Sequence, residues 1–102
     1  MMRGGPNVPE GSPHVTIYER KGCHLCDVAL LQLRALQQTL PFHIDRVNIE
    51  GDDDLERRYM LEIPVIDVAG AVVTQGQINL NAVRDAVINA RLGRTLGQEL
   101  SE

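Results

Sequence analysis

Apolar and polar residues alternate along His14–Glu19, so that Val15 and Ile17 fall on one face of an extended chain. This period of two residues predicts the first β-strand. Between residues 25 and 40 the spacing of the apolar residues changes to three and four, which predicts a helix with one apolar face. The predicted stripe consists of Leu25, Ala29, Leu33, Leu36 and Leu40. A helix this apolar should pack against a sheet, and Pro41 should mark its end.

The segment 42–49 predicts a second strand whose alternation contains a defect. Phe42 and Ile44 share one phase of the alternation, whereas Val47 and Ile49 share the other. A β-bulge near residues 45–46, or a strand that starts later, would account for the change of phase. The sequence alone leaves both explanations open.

A cluster of turn-forming and acidic residues follows the second strand. Residues 51–54 read Gly-Asp-Asp-Asp, which supplies a turn and a carboxylate that can cap a helix. The next residues predict a short helix over 55–61. Acidic residues at the start of a helix are favoured by its dipole, so we interpret the acidic run as a solvated helix start rather than a metal site.

The last third of the chain predicts a hairpin and a helix. Two short apolar runs, 63–68 and 71–74, flank a turn at Gly70 and are typical of a β-hairpin. Apolar residues then recur at helical spacing, with Asn79 as a candidate N-cap and Gly93 just past the end of the helix. This second helical stripe consists of Leu80, Val83, Val87 and Ala90.

The predicted order of elements is β-α-β-α-β-β-α. A strand–helix–strand unit followed by a hairpin and a covering helix predicts an α/β fold, with a four-stranded mixed sheet flanked by three helices. We assign this domain to residues 14–93. Residues 1–13 are rich in Gly and Pro and are expected to form a disordered lead-in, and residues 94–102 a flexible C-terminal tail.

Composition narrows the class of protein. The chain has 102 residues and a formal net charge of −4, which argues against nucleic acid as a partner. No apolar run is long enough to cross a membrane, and the N-terminal segment lacks the apolar core of a secretory signal. We therefore expect a monomer in the reducing cytoplasm, without a membrane partner.

The two cysteines, Cys23 and Cys26, form a C-x-x-C motif where the first strand gives way to the first helix. In a reducing compartment such a pair is typical of catalysis or metal binding. The opening turn of a helix favours negative charge, so a cysteine there ionises more readily. Arg20, Lys21 and His24 add positive potential nearby. We predict a redox dithiol, with Cys23 as the attacking thiol and Cys26 as the resolving thiol.

Two other interpretations of the cysteines stay open. The pair could provide two zinc ligands, but structural zinc usually takes four, and only His14, His24 and His43 remain to complete the set unless a dimer pools two pairs. Alternatively, the domain could be a non-catalytic module that uses the motif to bind a metal or a partner. Loss of disulfide reduction in Cys23→Ser would distinguish the enzyme from the binding module. We predict no metal ligand.

Two motifs make the chain resemble the glutaredoxin-like branch of the thioredoxin fold, and in particular a group of small bacterial glutaredoxin-like proteins. The motifs are Lys21-Gly22-Cys23-His24-Leu25-Cys26 and Tyr59 followed by Ile63-Pro64-Val65. The resemblance covers residues 14–93 and implies a thioredoxin-like fold. It also implies a thiol–disulfide oxidoreductase that binds no cofactor and reduces protein or small-molecule disulfides. Glutathione or a separate reductase would supply the electrons.

The resemblance further implies how substrates bind. The Ile63–Pro64 bond should be cis, and Ile63 should pair through its backbone with extended thiol substrates. Glutaredoxins bind glutathione at a Gly-Gly-x-Asp-Asp-like turn, where this chain has Gln75-Gly76-Gln77-Ile78-Asn79 and lacks both acids. Glutaredoxins also carry Pro-Tyr between the cysteines, where this chain has His24-Leu25. The implied substrate-binding residues are Lys21, His24, Ile63, Pro64, Gly76 and Asn79.

Overall fold

The seven predicted elements follow one another along the chain in the predicted order. The computed structural model describes residues 8–93, so the predicted C-terminal tail and the first seven residues of the predicted lead-in lie outside the described residues. The elements are β1 His14–Glu19, α1 His24–Gln37, β2 His43–Asn48, α2 Asp53–Tyr59, β3 Val65–Val68, β4 Ala71–Gln75 and α3 Leu80–Arg91. Within residues 8–93, none of the helices has the length and apolar character needed to span a membrane.

The four strands form one mixed sheet in the order β2-β1-β3-β4. β1 pairs in parallel with β2, whereas β3 is antiparallel to both β1 and β4. The register places Tyr18 opposite Val65, so the end of β1 and the beginning of β3 lie at the same end of the sheet. This architecture confirms the predicted α/β, thioredoxin-like fold with a four-stranded mixed sheet and three helices.

The main core lies between the sheet and helices α1 and α3. The nine buried residues of this cluster are Val15, Ile17, Ala29, Leu33, Phe42, Ile66, Val68, Val83 and Val87. Both helices contribute because apolar residues spaced by three or four positions share one helical face. A smaller cluster under α2 holds Ile49, Tyr59 and Val65, so the sheet is covered on both faces.

Neither explanation offered for the change of phase in β2 holds, because the strand has no bulge and already includes Ile44. β2 pairs with β1 without a break over His43–Asn48. The phase changes because Phe42 and Ile44 contact the main core, whereas Ile49, just beyond the strand, belongs to the cluster under α2. A regular strand that buries one face first and the other face later therefore produces the same sequence pattern as a bulge.

The apolar stripe of α1 differs from the prediction at its first position. Leu25 is 47% exposed, and Cys26 is fully buried in its place. The helix also ends at Gln37 rather than at residue 40, because the N–H groups of Gln38 and Thr39 turn back to the carbonyls of Ala35 and Leu36. The polypeptide therefore leaves helical geometry before Pro41 is reached.

The predicted helix caps are confirmed. The Asp52 side chain accepts from the N–H of Leu55, and the Asn79 side chain accepts from the N–H of Ala82, each at 3.1 Å. Gly93 follows α3 with a φ of +77°, a conformation that glycine adopts without steric cost. α2 begins and ends two residues earlier than predicted, since Asp52 is the residue that caps it.

Candidate active site

Cys23 is the N-cap residue of α1 and lies in extended conformation immediately before the first helical turn. Its Sγ accepts a hydrogen bond from the N–H of Cys26 at 3.1 Å, and its carbonyl accepts from the N–H of Asp27 at 3.1 Å. Gly22 precedes it with a φ of +79°, which a glycine tolerates and a side chain would strain. The turn at Gly22 therefore places Cys23 at the N-terminus of α1.

Cys23 and Cys26 form a disulfide, with their Cα atoms 5.2 Å apart. Their surroundings differ, because Cys26 is fully buried in the helix face that packs on the sheet, whereas Cys23 is half-buried. The free N–H groups of the first helical turn stabilise negative charge beside Cys23. Of the two cysteines, Cys23 is therefore the one that is partly accessible to solvent.

The loop that precedes β3 lies at the dithiol end of the sheet. The Ile63–Pro64 bond is cis, the geometry that the resemblance implies. The N–H of Gly76 donates to the carbonyls of Glu62 at 2.8 Å and Pro64 at 3.0 Å. The structure therefore joins two predicted substrate-binding residues, Pro64 and Gly76, by a direct hydrogen bond.

Asn79 has a structural role in addition to the binding role predicted for it. Its side chain caps α3, and its backbone N–H donates to the hydroxyl of Thr74 at 3.1 Å. Ile78 packs half-buried against the main core. Lys21 and His24 are exposed on the loop and first turn that surround Cys23.

A charged cleft of about 460 Å³ lies beside the dithiol, between the ends of β1 and β2 and the start of α1. Together with Gly22, its lining residues are Glu19, Arg20, Lys21, Asp27, Arg46 and Asn48. The Glu19 side chain is only 11% exposed, and its Oε2 accepts from Nε of Arg46 at 2.7 Å. This hydrogen bond and the charge of Glu19 raise the pKa of Arg46, so the guanidinium remains charged.

The sequence prediction missed Glu19, Arg46 and Asn48 as site residues. A signal was present, because Glu19 occupies the next inward position after Val15 and Ile17, where the alternation calls for another apolar residue. Arg46 falls in the stretch 45–46, where a bulge was one of the two explanations for the change of phase. Only the pairing of β1 with β2 brings Glu19 and Arg46 together.

Metal-ligating side chains do not converge in the part of the chain that the structure describes: residues 8–93 contain no group of three or more His, Cys, Asp or Glu side chains suited to a metal ion. His14 and His43 stack with ring centroids 4.4 Å apart, and His14 Nδ1 lies 2.7 Å from Asp45 Oδ2. His14 and His43 are the first residues of β1 and β2, and Asp45 lies two positions after His43. They are therefore near the end of the sheet opposite to the two cysteines.

Comparison with known families gives a match that spans all seven described helices and strands. The family model described as a glutaredoxin-like domain (DUF836) matches residues 14–93. No curated protein matches the sequence.

Several solved structures also match the chain. Protein Ne2328 from Nitrosomonas europaea, solved by solution NMR, is 26% identical with a TM-score of 0.68, over 78% of this chain and 96% of that one. The X-ray structure of XcR50 from X. campestris is 32% identical with a TM-score of 0.56, over 70% of this chain and 91% of that one. Oxidised mitochondrial thioredoxin 3 from Saccharomyces cerevisiae is 15% identical with a TM-score of 0.55, over 78% and 80% of the two chains, and shares the fold.

Proposed function

The chain belongs to the glutaredoxin-like domain family, and from this premise we propose that it is a thiol–disulfide oxidoreductase that reduces substrate disulfides by a dithiol mechanism. One observation carries the proposal. A cysteine pair closes a disulfide at the start of α1, with half-buried Cys23 at the N-cap and fully buried Cys26 in the first turn. This asymmetry supports Cys23 as the nucleophile and Cys26 as the resolving thiol.

The reaction proceeds by two exchanges. The Cys23 thiolate attacks one sulfur of the substrate disulfide, the substrate S–S bond breaks, and one substrate thiolate leaves. Cys26 then loses its proton, and its thiolate attacks the Cys23 sulfur of the mixed disulfide, which releases the second substrate thiolate. The substrate gains two electrons, and the protein is left with the Cys23–Cys26 disulfide.

An external dithiol or two molecules of a monothiol must restore the reduced protein. We propose glutathione or a separate reductase as this electron donor, with no cofactor bound to the chain itself. Lys21 is exposed beside Cys23 and can attract a carboxylate of glutathione. Ile78 and Asn79 replace the two acids of the glutaredoxin turn, so an ammonium group meets no carboxylate at those positions. This difference favours a separate reductase.

Extended substrates would approach Cys23 along the loop that contains Pro64. The N–H of Ile63 donates to the carbonyl of Tyr59 at 3.1 Å, so we assign the backbone pairing with a substrate to the carbonyl of Ile63. Gly76 supports this loop through its hydrogen bond to Pro64. His24, exposed at the start of α1, adds a titratable group one residue from the nucleophile.

We further propose that the protein acts as a monomer in the cytoplasm, on protein or small-molecule disulfides. A reducing compartment keeps the Cys23–Cys26 pair ready to donate electrons. Neither nucleic acid nor a membrane takes part in this function.

Single serine substitutions test the mechanism, because they separate the two sulfurs. Cys26→Ser should accumulate a stable mixed disulfide between Cys23 and the substrate, visible as an added substrate mass. Cys23→Ser should neither trap a substrate nor reduce one. If both variants leave disulfide reduction unchanged, or if the wild-type protein reduces none, the non-catalytic binding module becomes the better description. Circular dichroism of each variant controls for folding.

A further inference from the structure

At the end of the sheet near the two cysteines, the inward positions of β1 and β2 carry charged instead of apolar side chains. On β1, the inward positions Val15 and Ile17 are fully buried, and Glu19 follows them. On β2, Ile44 contacts the main core and Arg46 follows two positions later. Burial of a carboxylate costs free energy unless it is paired, and here Arg46 provides the partner.

The ion pair fixes Arg46 at the wall of the charged cleft. Its Nε is engaged with Glu19 at 2.7 Å, while the side chain as a whole stays 52% exposed. A guanidinium held through Nε presents its two terminal nitrogens in a fixed plane, which suits a carboxylate better than a mobile ammonium does. Glu19 is therefore a positioning residue for Arg46.

The balance of charge in the cleft differs from that of the whole chain. Three cationic side chains, Arg20, Lys21 and Arg46, line it, against the two carboxylates of Glu19 and Asp27. The chain as a whole carries a formal net charge of −4. A partly enclosed cleft with excess positive charge attracts anions, even on an acidic protein.

The cleft borders the neighbours of Cys23 on the side of β1 away from Pro64. β2 and β3 lie on opposite sides of β1 in the sheet, and the cleft is at β2 whereas Pro64 directly precedes β3. Gly22, adjacent to Cys23, lines the cleft, and so does Asp27, whose N–H donates to the Cys23 carbonyl. Cys23, which follows β1, therefore lies between the two surfaces.

We propose that the charged cleft binds a carboxylate carried by the substrate disulfide, with Arg46 as its anchor and Glu19 holding Arg46 in place. This inference rests on the proposed oxidoreductase function and adds a substrate class to it. The preferred substrates carry an acidic group close to the sulfur that Cys23 attacks. The source of the carboxylate is either a small acidic disulfide or an acidic side chain beside a cysteine of a polypeptide.

Two small disulfides of similar size test the proposal. Dithiodipropionate carries a carboxylate at each end, and hydroxyethyl disulfide is neutral. The reduced protein is mixed with an excess of either reagent, quenched with acid, and followed by intact mass as Cys23 and Cys26 become oxidised and two reagent thiols are released. The readout is the rate with dithiodipropionate divided by the rate with hydroxyethyl disulfide. The two reagents release different thiols, but this difference is the same for every variant, so it cancels when the ratios of two variants are compared.

Arg46→Gln should lower the ratio of the anionic to the neutral rate by about three- to tenfold, the scale of one partly screened charged contact. The double variant Glu19→Gln/Arg46→Gln should show a similar fall while leaving no carboxylate buried without a partner, so it guards against misfolding. Arg91→Gln is the matched control. It also removes one cation, but Arg91 is the last residue of α3 and lies next to residues 9–12, which lead into β1 at the opposite end of the sheet.

A second pair of reagents identifies the source of the carboxylate. Disulfide-linked peptides with Glu or Gln beside the cysteine should show the same dependence on Arg46 if a polypeptide carboxylate fits the cleft. If Arg46→Gln lowers the ratio of the anionic to the neutral rate for either pair of reagents, the proposal is supported. The pair for which the ratio falls shows whether the carboxylate belongs to a small disulfide or to a polypeptide. If both disulfides react but Arg46→Gln behaves like Arg91→Gln throughout, the cleft has no such role and the proposed function still stands. If no disulfide oxidises the wild-type dithiol, the proposed function itself fails.

Discussion

The two faces of the sheet differ at the end where the dithiol lies. Beneath α2, Tyr59 and Val65 are buried with Ile49 in a closed apolar cluster. On the opposite face, the corresponding end of the main core opens into the charged cleft that contains Glu19 and Arg46. The same four strands thus support a closed apolar surface on one side and an open charged one on the other.

We propose that this difference separates stability from substrate recognition. Tyr59, a member of the apolar cluster, also holds the loop in front of β3. Its backbone carbonyl accepts hydrogen bonds from the N–H groups of Glu62 at 2.8 Å and Ile63 at 3.1 Å. The charged cleft leaves Arg46 half-exposed. We therefore expect substitutions under α2 to change mainly the free energy of unfolding, and substitutions in the cleft to change mainly the choice of substrate.

Tyr59→Ala should produce the largest loss of stability, about 3 kcal/mol, because it empties a buried aromatic site. Tyr59 is buried against Tyr18, with ring centroids 4.8 Å apart. Urea unfolding of the oxidised proteins measures the effect. The matched control is Leu61→Ala, in which a side chain that is 93% exposed is removed, with an expected change within about 0.5 kcal/mol. Equal losses in the two variants would contradict the closed cluster.

Arg46→Ala should cost less, about 1 kcal/mol, because the pair is part-exposed and solvent screens its charges. Most of that loss should come from Glu19, which is left without its partner. The double variant Glu19→Gln/Arg46→Gln should therefore be more stable than Arg46→Ala in the same urea experiment. A double variant that is the less stable of the two would show that the ion pair contributes more than the burial of Glu19 costs.

Tyr18→Phe should have the smallest effect, and only at alkaline pH. Burial, followed by the charge of Asp67, raises the pKa of Tyr18 above its ordinary value of 10.0. The folded protein then holds a proton that the unfolded chain has lost, so stability is complete below about pH 10 and falls as the pH rises through the folded-state pKa. The variant should lose less stability than the wild type over this range. Identical slopes in alkaline urea titrations would contradict the assignment.

Much of the fold could be predicted because local pattern and tertiary packing agree. The alternation at Val15 and Ile17, the caps at Asp52 and Asn79, and the C-x-x-C at the strand–helix junction are all local signals. The structure places each of them in the expected element. The prediction that Cys23 and Cys26 lie close enough to form a disulfide required only their spacing and position.

The remaining features depend on partners that are distant along the chain. The face on which Ile49 is buried is decided by α2, so a regular β2 gave the pattern of a bulge. Cys26 replaced Leu25 in the core because the contact face of α1 is set by the sheet beneath it. The cleft required Glu19 and Arg46, which are 27 positions apart, to meet across paired strands.

We propose above all that Cys23 and Cys26 form a reversible redox couple, and intact-mass analysis can decide whether they do. The purified protein is equilibrated across a series of ratios of reduced to oxidised glutathione, and free thiols are trapped before analysis. We expect a reversible loss of two hydrogens at an intermediate ratio, which also gives the reduction potential of the couple. A cysteine pair that stays reduced at every ratio, or that is purified with zinc bound to its sulfurs, would contradict it.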